Sequence, residues 1–100
     1  MTTLKSVTDG HAILIIEDDQ LIRERLALAM SANGNCSVVE ASSLQEARTA
    51  FAEQTPDLIL SDLRLPDGNA IDFLIDVRQT SPATEILVIS VLGDENTIIT

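Results

Sequence analysis

Two short apolar runs that stop against carboxylates constrain the fold of this chain more than any other feature. Ala12-Ile13-Leu14-Ile15-Ile16 leads directly into Glu17-Asp18-Asp19, and Leu58-Ile59-Leu60-Ser61 leads into Asp62, followed by Leu63-Arg64-Leu65-Pro66-Asp67-Gly68. Neither run alternates polar with apolar residues, which is the pattern of strands covered on both faces in a parallel sheet. Packing does not explain charges at such ends, because an unpaired carboxylate taken out of water is costly. Several converging carboxylates suit a hard cation such as Mg²⁺. If the two strands are neighbours, Glu17, Asp18 and Asp62 share one pocket.

The segments between these runs read as helices. Residues 20–32 carry Ile22, Leu26, Ala29 and Met30 at helical spacing, with Leu21 and Leu28 widening the stripe. Asp18 or Asp19 is placed to cap its start, and Asn33-Gly34 to stop it. Residues 37–40 form a second strand. Ser43-Leu44-Gln45-Glu46 matches a capping box, and Leu44, Ala47 and Phe51 continue it as a helix that Thr55-Pro56-Asp57 ends. After a turn at Pro66-Asp67-Gly68, the residues Ala70, Phe73, Leu74 and Val77 follow an i, i+3, i+4, i+7 pattern for a third helix. Ser81-Pro82 breaks the chain, 86–91 is a fourth apolar strand, and Asp94 is placed to cap a helix beginning near Glu95. This alternation predicts a doubly wound α/β domain with a parallel sheet and right-handed crossovers. Ligands of such sheets bind outside the carboxyl ends of the strands, where strand order reverses, and both acidic clusters lie at such ends.

A chain of 100 residues makes one domain with its own core, here 11–100 behind a polar, flexible leader at 1–10. Phe51 and Phe73 are the only aromatics, so Ile, Leu, Val and Ala build that core. The formal net charge of -10 repels phosphate backbones, which excludes direct nucleic-acid contact by this segment. Cys36 is the single cysteine, so there is neither an internal disulfide nor a thiolate zinc cage, and it reads as a small core residue. The N-terminus lacks a secretory start, and no apolar stretch approaches the roughly 20 residues of a membrane helix. A soluble, cytoplasmic domain is expected.

Three motifs in this order and spacing, Ile13-Leu14-Ile15-Ile16-Glu17-Asp18-Asp19, Asp62-Leu63-Arg64-Leu65-Pro66-Asp67-Gly68 and Val88-Ile89-Ser90, resemble the receiver domain of two-component response regulators. The resemblance implies a flavodoxin-like sheet of order 2-1-3-4-5, in which strands one and three are neighbours and the two acidic clusters meet. It implies a phosphoacceptor signalling switch, with Asp62 taking a phosphoryl group from a histidine kinase or phosphotransfer protein. Asp18 and Asp62 would ligate Mg²⁺ directly, Glu17 directly or through water, and the Arg64 main-chain carbonyl would add another oxygen. Ser90 matches the hydroxyl that contacts the phosphoryl group. Arg64 and Leu92, each two residues past a motif residue, are expected to tune its hydrolysis.

Some features depart from the family pattern. Family members continue through a fifth strand and helix, with a lysine that pairs with the phosphoryl group, whereas the only lysine here is Lys5. The expectation is therefore a receiver incomplete at its C-terminal side, with strand order 2-1-3-4. The expectation is further that this is a fragment of a longer protein, whose output domain would then bind DNA, or a homodimer that completes its sheet by exchange. Ala70 stands where the family usually has glycine.

Two other functions compete with the switch. A phosphate-independent, receiver-like interaction or dimerisation module would keep the fold without the chemistry. A phosphatase with an aspartyl-phosphate intermediate would use an Asp-x-Asp setting after the first strand, which Glu17-Asp18-Asp19-Gln20 does not match. An enzyme acting on other molecules is not expected. The Asp62 loop is no EF-hand, since Arg64 and Pro66 stand where oxygen ligands are needed. His11 reads as a strand-start residue and Asp67-Gly68 as a turn.

Overall fold

The apolar runs pair with one another as their lack of alternation requires. The computed structural model describes residues 11–32 and 34–89. Its elements are β1 (His11–Ile16), α1 (Gln20–Met30), β2 (Cys36–Ala41), α2 (Leu44–Glu53), β3 (Leu58–Ser61), β4 (Arg64–Leu65), β5 (Gly68–Asn69), α3 (Ile71–Thr80) and β6 (Glu85–Val88). The main sheet has the order β2-β1-β3-β6 and all three of its pairings are parallel. β6 is the expected fourth strand, so the observed order is the 2-1-3-4 of a flavodoxin-like sheet. β4 and β5 form a separate antiparallel ribbon.

Successive residues of β1 serve opposite faces. Ile13 and Ile15 join Leu60 beneath α1, where Leu26, Ala27 and Met30 cover them. Leu14 and Ile16 join Ile59 beneath the other layer, with Ala47 of α2 and Phe73, Leu74 and Val77 of α3. Because both faces are covered, β1 is apolar at every position from Ala12 to Ile16, all of them buried. Phe73 is the largest fully buried side chain among the described residues, and its ring meets Phe51 edge-on at 6.0 Å. The Arg48 guanidinium lies 5.3 Å from the Phe73 ring centre and 3.4 Å from Asp76, which ties α2 to α3.

The expectation for α1 needs correction. The stripe of α1 is not Ile22, Leu26, Ala29 and Met30 widened by Leu21 and Leu28. Leu21 and Leu28 face solvent at 58% and 73% exposure, and Ile22 and Ala29 are also exposed. The sheet-facing row is Leu26, Ala27 and Met30, and Arg23 continues it in the first turn, largely buried and with its guanidinium on Glu40 of β2 and on the Glu17 carbonyl. The helix also ends at Met30, where Ser31 turns its hydroxyl back to the Ala27 carbonyl at 2.8 Å. The turn expected at Pro66-Asp67-Gly68 is present at 66–67. It closes the β4–β5 ribbon, with Arg64 opposite Asn69 and Leu65 opposite Gly68.

At the amino-terminal end of the sheet, Asp57 fastens β1. Its carboxylate accepts from the Ala12 amide at 2.8 Å, and its own amide donates to the Ala12 carbonyl at 2.7 Å. His11 opens β1 as expected, with Nδ1 3.9 Å from that carboxylate. The expected leader, the residues 90–91 of the fourth strand, and the helix capped by Asp94 lie outside the described residues.

Candidate functional site

β1 and β3 are neighbours in register, with Ile16 opposite Ser61, so their next residues, Glu17 and Asp62, emerge side by side. Backbone pairing continues past both strand ends. The Asp62 amide donates to the Ile16 carbonyl at 2.9 Å, and the Glu17 amide to the Ala41 carbonyl at 3.0 Å. Glu17, Asp18 and Asp62 each offer a carboxylate oxygen within 4.8 Å of the others. The pocket anticipated from the two apolar runs is thus assembled, and no other such cluster occurs among the described residues.

The three carboxylates are differently placed. Glu17 is buried, Asp62 is half-buried and Asp18 is exposed. Burial pushes the Glu17 carboxyl up to about 7, and the negative charges of Asp62 and Asp18 push the same way. The Asp19 amide, donating to Glu17 Oε2 at 3.0 Å, opposes this only in part. Asp62 Oδ1 accepts from the Leu63 amide at 2.7 Å and the Arg64 amide at 3.4 Å, which holds the carboxylate against the start of β4. Asp19 stays out of the cluster and caps α1, taking the Ile22 amide at 3.0 Å.

Two supporting residues were not evident from the sequence. The Arg23 guanidinium donates to the Glu17 carbonyl at 2.9 Å and pairs with Glu40, at the end of β2, at 3.1 Å. Asp67 caps α2 from the turn of the ribbon, taking the Leu44 amide at 2.8 Å and the Gln45 amide at 3.0 Å. Those two bonds, the Leu44 one foremost, hold its carboxyl below the usual range. The capping box itself is present in altered form. Ser43 Oγ accepts from the Glu46 amide at 3.1 Å, while Glu46 reaches one residue further back, to the amide and hydroxyl of Ser42.

Of the other expected site residues, Arg64 opens β4 with its side chain exposed. Ser90 and Leu92 lie outside the described residues. The chain leading to them is placed by the Ile89 amide, which donates to the Ser61 carbonyl at 2.8 Å, next to Asp62.

A doubly wound parallel sheet with three carboxylates gathered at the carboxyl ends of its two central strands defines a class of acidic-pocket α/β domains. The family is settled by comparison: the model of the response regulator receiver domain matches residues 13–100, and the chain belongs to that family. The KDP operon transcriptional regulatory protein KdpE of Escherichia coli is 43% identical over 84 residues, which is 84% of this chain and 36% of that protein. The chain therefore spans little more than a third of this relative. The non-phosphorylated HemR receiver domain from Leptospira biflexa superposes with a TM-score of 0.74 at 28% identity, covering 83% of this chain and 66% of that one. The MaeR response regulator bound to beryllium trifluoride gives a TM-score of 0.73 at 30% identity, covering 86% and 71%. No helix among the described residues is long and apolar enough to cross a membrane.

Proposed function

We propose that this receiver domain works as a phosphoacceptor switch in which Asp62 takes a phosphoryl group from a phosphohistidine of a kinase or phosphotransfer protein. The observation that carries the reading is the cluster of Glu17, Asp18 and Asp62 within 4.8 Å at the ends of adjacent parallel strands. Among the described residues only Oδ1 of Asp62 accepts hydrogen bonds, which leaves Oδ2 to react. An Asp62 oxygen attacks phosphorus, the P–N bond to the histidine breaks, and the leaving imidazole keeps the electron pair and takes up a proton. The product is an acyl phosphate.

The donor set fits Mg²⁺. It is all carboxylate oxygen, and besides burial the charges of Asp62 and Asp18 push the Glu17 carboxyl up, charges that a cation would compensate. Glu17, Asp18 and Asp62 would hold the ion, with the Arg64 carbonyl as a further oxygen. When bound, it neutralises charge on the transferring phosphoryl group and holds that group in line for attack. The chain's own part is to fix Asp62 by the Leu63 and Arg64 amides and to keep Glu17 buried beside it. Ser90, following Ile89 and its bond to Ser61, supplies the hydroxyl that meets the phosphoryl group. Arg64 and Leu92 have the role of setting how readily water reaches the phosphoryl group. The MaeR complex with beryllium trifluoride supports the reading, since that anion has the shape and charge of a phosphoryl group.

The acidic surface argues against nucleic-acid contact by these residues, whatever the transcriptional role in the name of KdpE. The test is intact mass after incubation with Mg²⁺ and a small acyl phosphate. One phosphoryl group is expected on the wild type, and none with Asp62→Asn or with a chelator. No uptake under any condition would favour the phosphate-independent interaction module.

A further inference from the structure

The Asp62 loop is fastened to the rest of the molecule at three points. Leu65 of β4 is buried in the core, and the Ala70 amide donates to the Leu63 carbonyl at 2.9 Å. The third point is Asp67, whose two carboxylate oxygens take the Leu44 and Gln45 amides of α2. Those amides belong to the first turn of a helix, which has no carbonyl partners of its own to offer them. An anion placed there also meets the positive end of the helix dipole.

Only four residues separate Asp62 from Asp67, and the ribbon they enter is paired across its two strands, so a displacement of the tip is passed on to the base. Asp62 binds the Leu63 and Arg64 amides, Arg64 pairs with Asn69 and Leu65 with Gly68, and Pro66-Asp67 close the turn. Gly68 adds a second constraint at the tip. Its φ is +141°, and a Cβ there would lie 3.2 Å from Leu44 Cδ1. The ribbon therefore sits against α2 through a conformation that favours glycine, with the Asp67 clamp beside it.

We propose that Asp67 is a positioning residue for the acidic site: by anchoring the ribbon on α2 it fixes where the Asp62 carboxylate and the Arg64 carbonyl stand relative to Glu17 and Asp18. This inference rests on the metal-assisted phosphoacceptor reading. A cap that served α2 alone would do the same work as Ser43, which takes the Glu46 amide at the same helix end and, among the described residues, makes no hydrogen bond to the ribbon. The two residues thus separate helix capping from site positioning.

The experiment compares Asp67→Ala with Ser43→Ala in the full chain. Mg²⁺ affinity is measured by calorimetry, since the chain has no Trp or Tyr to report binding. Phosphoryl uptake from a small acyl phosphate is timed in parallel, and thermal unfolding shows that each variant is folded. Asp67→Ala is expected to weaken Mg²⁺ binding on the order of tenfold, as loss of groups that orient metal ligands does. It should slow phosphoryl uptake at fixed Mg²⁺, while Ser43→Ala leaves both unchanged. Asp67→Glu, which keeps the charge on a longer stem, should recover part of the loss. Equal Mg²⁺ affinities in the wild type and both variants would overturn the positioning role and leave the phosphoacceptor reading standing. Equal losses in both variants would also overturn it, by showing that the helix end alone matters. A wild type that neither binds Mg²⁺ nor takes up phosphoryl would overturn the underlying reading and this inference with it.

Discussion

Removing the charge of Asp62 is expected to stabilise the metal-free protein. Three carboxylates lie within 4.8 Å of one another, and two unit charges at that distance repel by about 1–3.5 kcal/mol as the effective dielectric falls from that of water to that suited to protein pairs. Asp62→Asn deletes two of the three repulsive pairs. It keeps the Oδ1 acceptor for the Leu63 and Arg64 amides, so no donor is left unmet. Asp18 is exposed and water screens the cluster, which reduces the net gain to about 1–2 kcal/mol. For a domain of this size that is a rise in Tm of roughly 4–8 °C per kcal/mol. The assay is thermal unfolding by circular dichroism in chelator at pH 8, above the value at which Glu17 titrates, and again at pH 5. The gain should shrink at pH 5 because Glu17, whose carboxyl sits at about 7, is then protonated. Added Mg²⁺ should raise the Tm of the wild type more than that of the variant. A variant that unfolds at or below the wild-type temperature at pH 8 without metal would refute the reasoning, because the carboxylates would then not be crowded.

Glu17 titrates at about 7 in the folded protein, above its ordinary 4.5, so the folded state binds more protons than the unfolded state between those values. Metal-free stability should therefore be fully present below about pH 4.5 and fall as pH rises towards 7, by about 1–2 kcal/mol after screening. Mg²⁺ affinity should rise over the same window as the proton is displaced. Urea unfolding at a series of pH values checks the first, and a flat profile would contradict it. Phe73→Ala should cost about 3–5 kcal/mol, through the cavity left and the lost contacts with Phe51 and Arg48; a cost under about 1 kcal/mol in urea would show that α3 repacks freely. Arg23→Ala removes charge-assisted bonds to the Glu17 carbonyl and the Glu40 carboxylate, and should cost about 1.5–3 kcal/mol. It should also weaken Mg²⁺ binding, and an unaltered Mg²⁺ affinity by calorimetry would confine Arg23 to the helix.

Where a pattern repeats, the sequence was sufficient. Ala70, Phe73, Leu74 and Val77 return at the helical period because they face one core, and all four are buried. The unbroken apolar run of β1 signalled a central strand, and the carboxylates at its end and at that of β3 meet as expected. Reading failed where one residue does the work of several. Arg23 occupies a sheet-side position through its guanidinium, which meets Glu40 and the Glu17 carbonyl, and a count of apolar residues rotated the stripe of α1 towards Ile22 and Ala29. The ribbon of β4 and β5 has two residues in each strand, too few for any period to show. Asp67 looks the same in sequence whether it turns the chain or caps a helix, and its partners lie 22 and 23 residues away.

The assignment of Asp62 as phosphoacceptor is tested most directly by trapping the product. Protein treated with Mg²⁺ and a small acyl phosphate would be reduced with borohydride, which converts an aspartyl phosphate to homoserine, and then mapped by peptide mass spectrometry. Homoserine at position 62 and at no other acidic residue is the expected result. Homoserine at position 18 or 19 instead, or phosphoryl uptake that yields no homoserine at 62, would contradict the account.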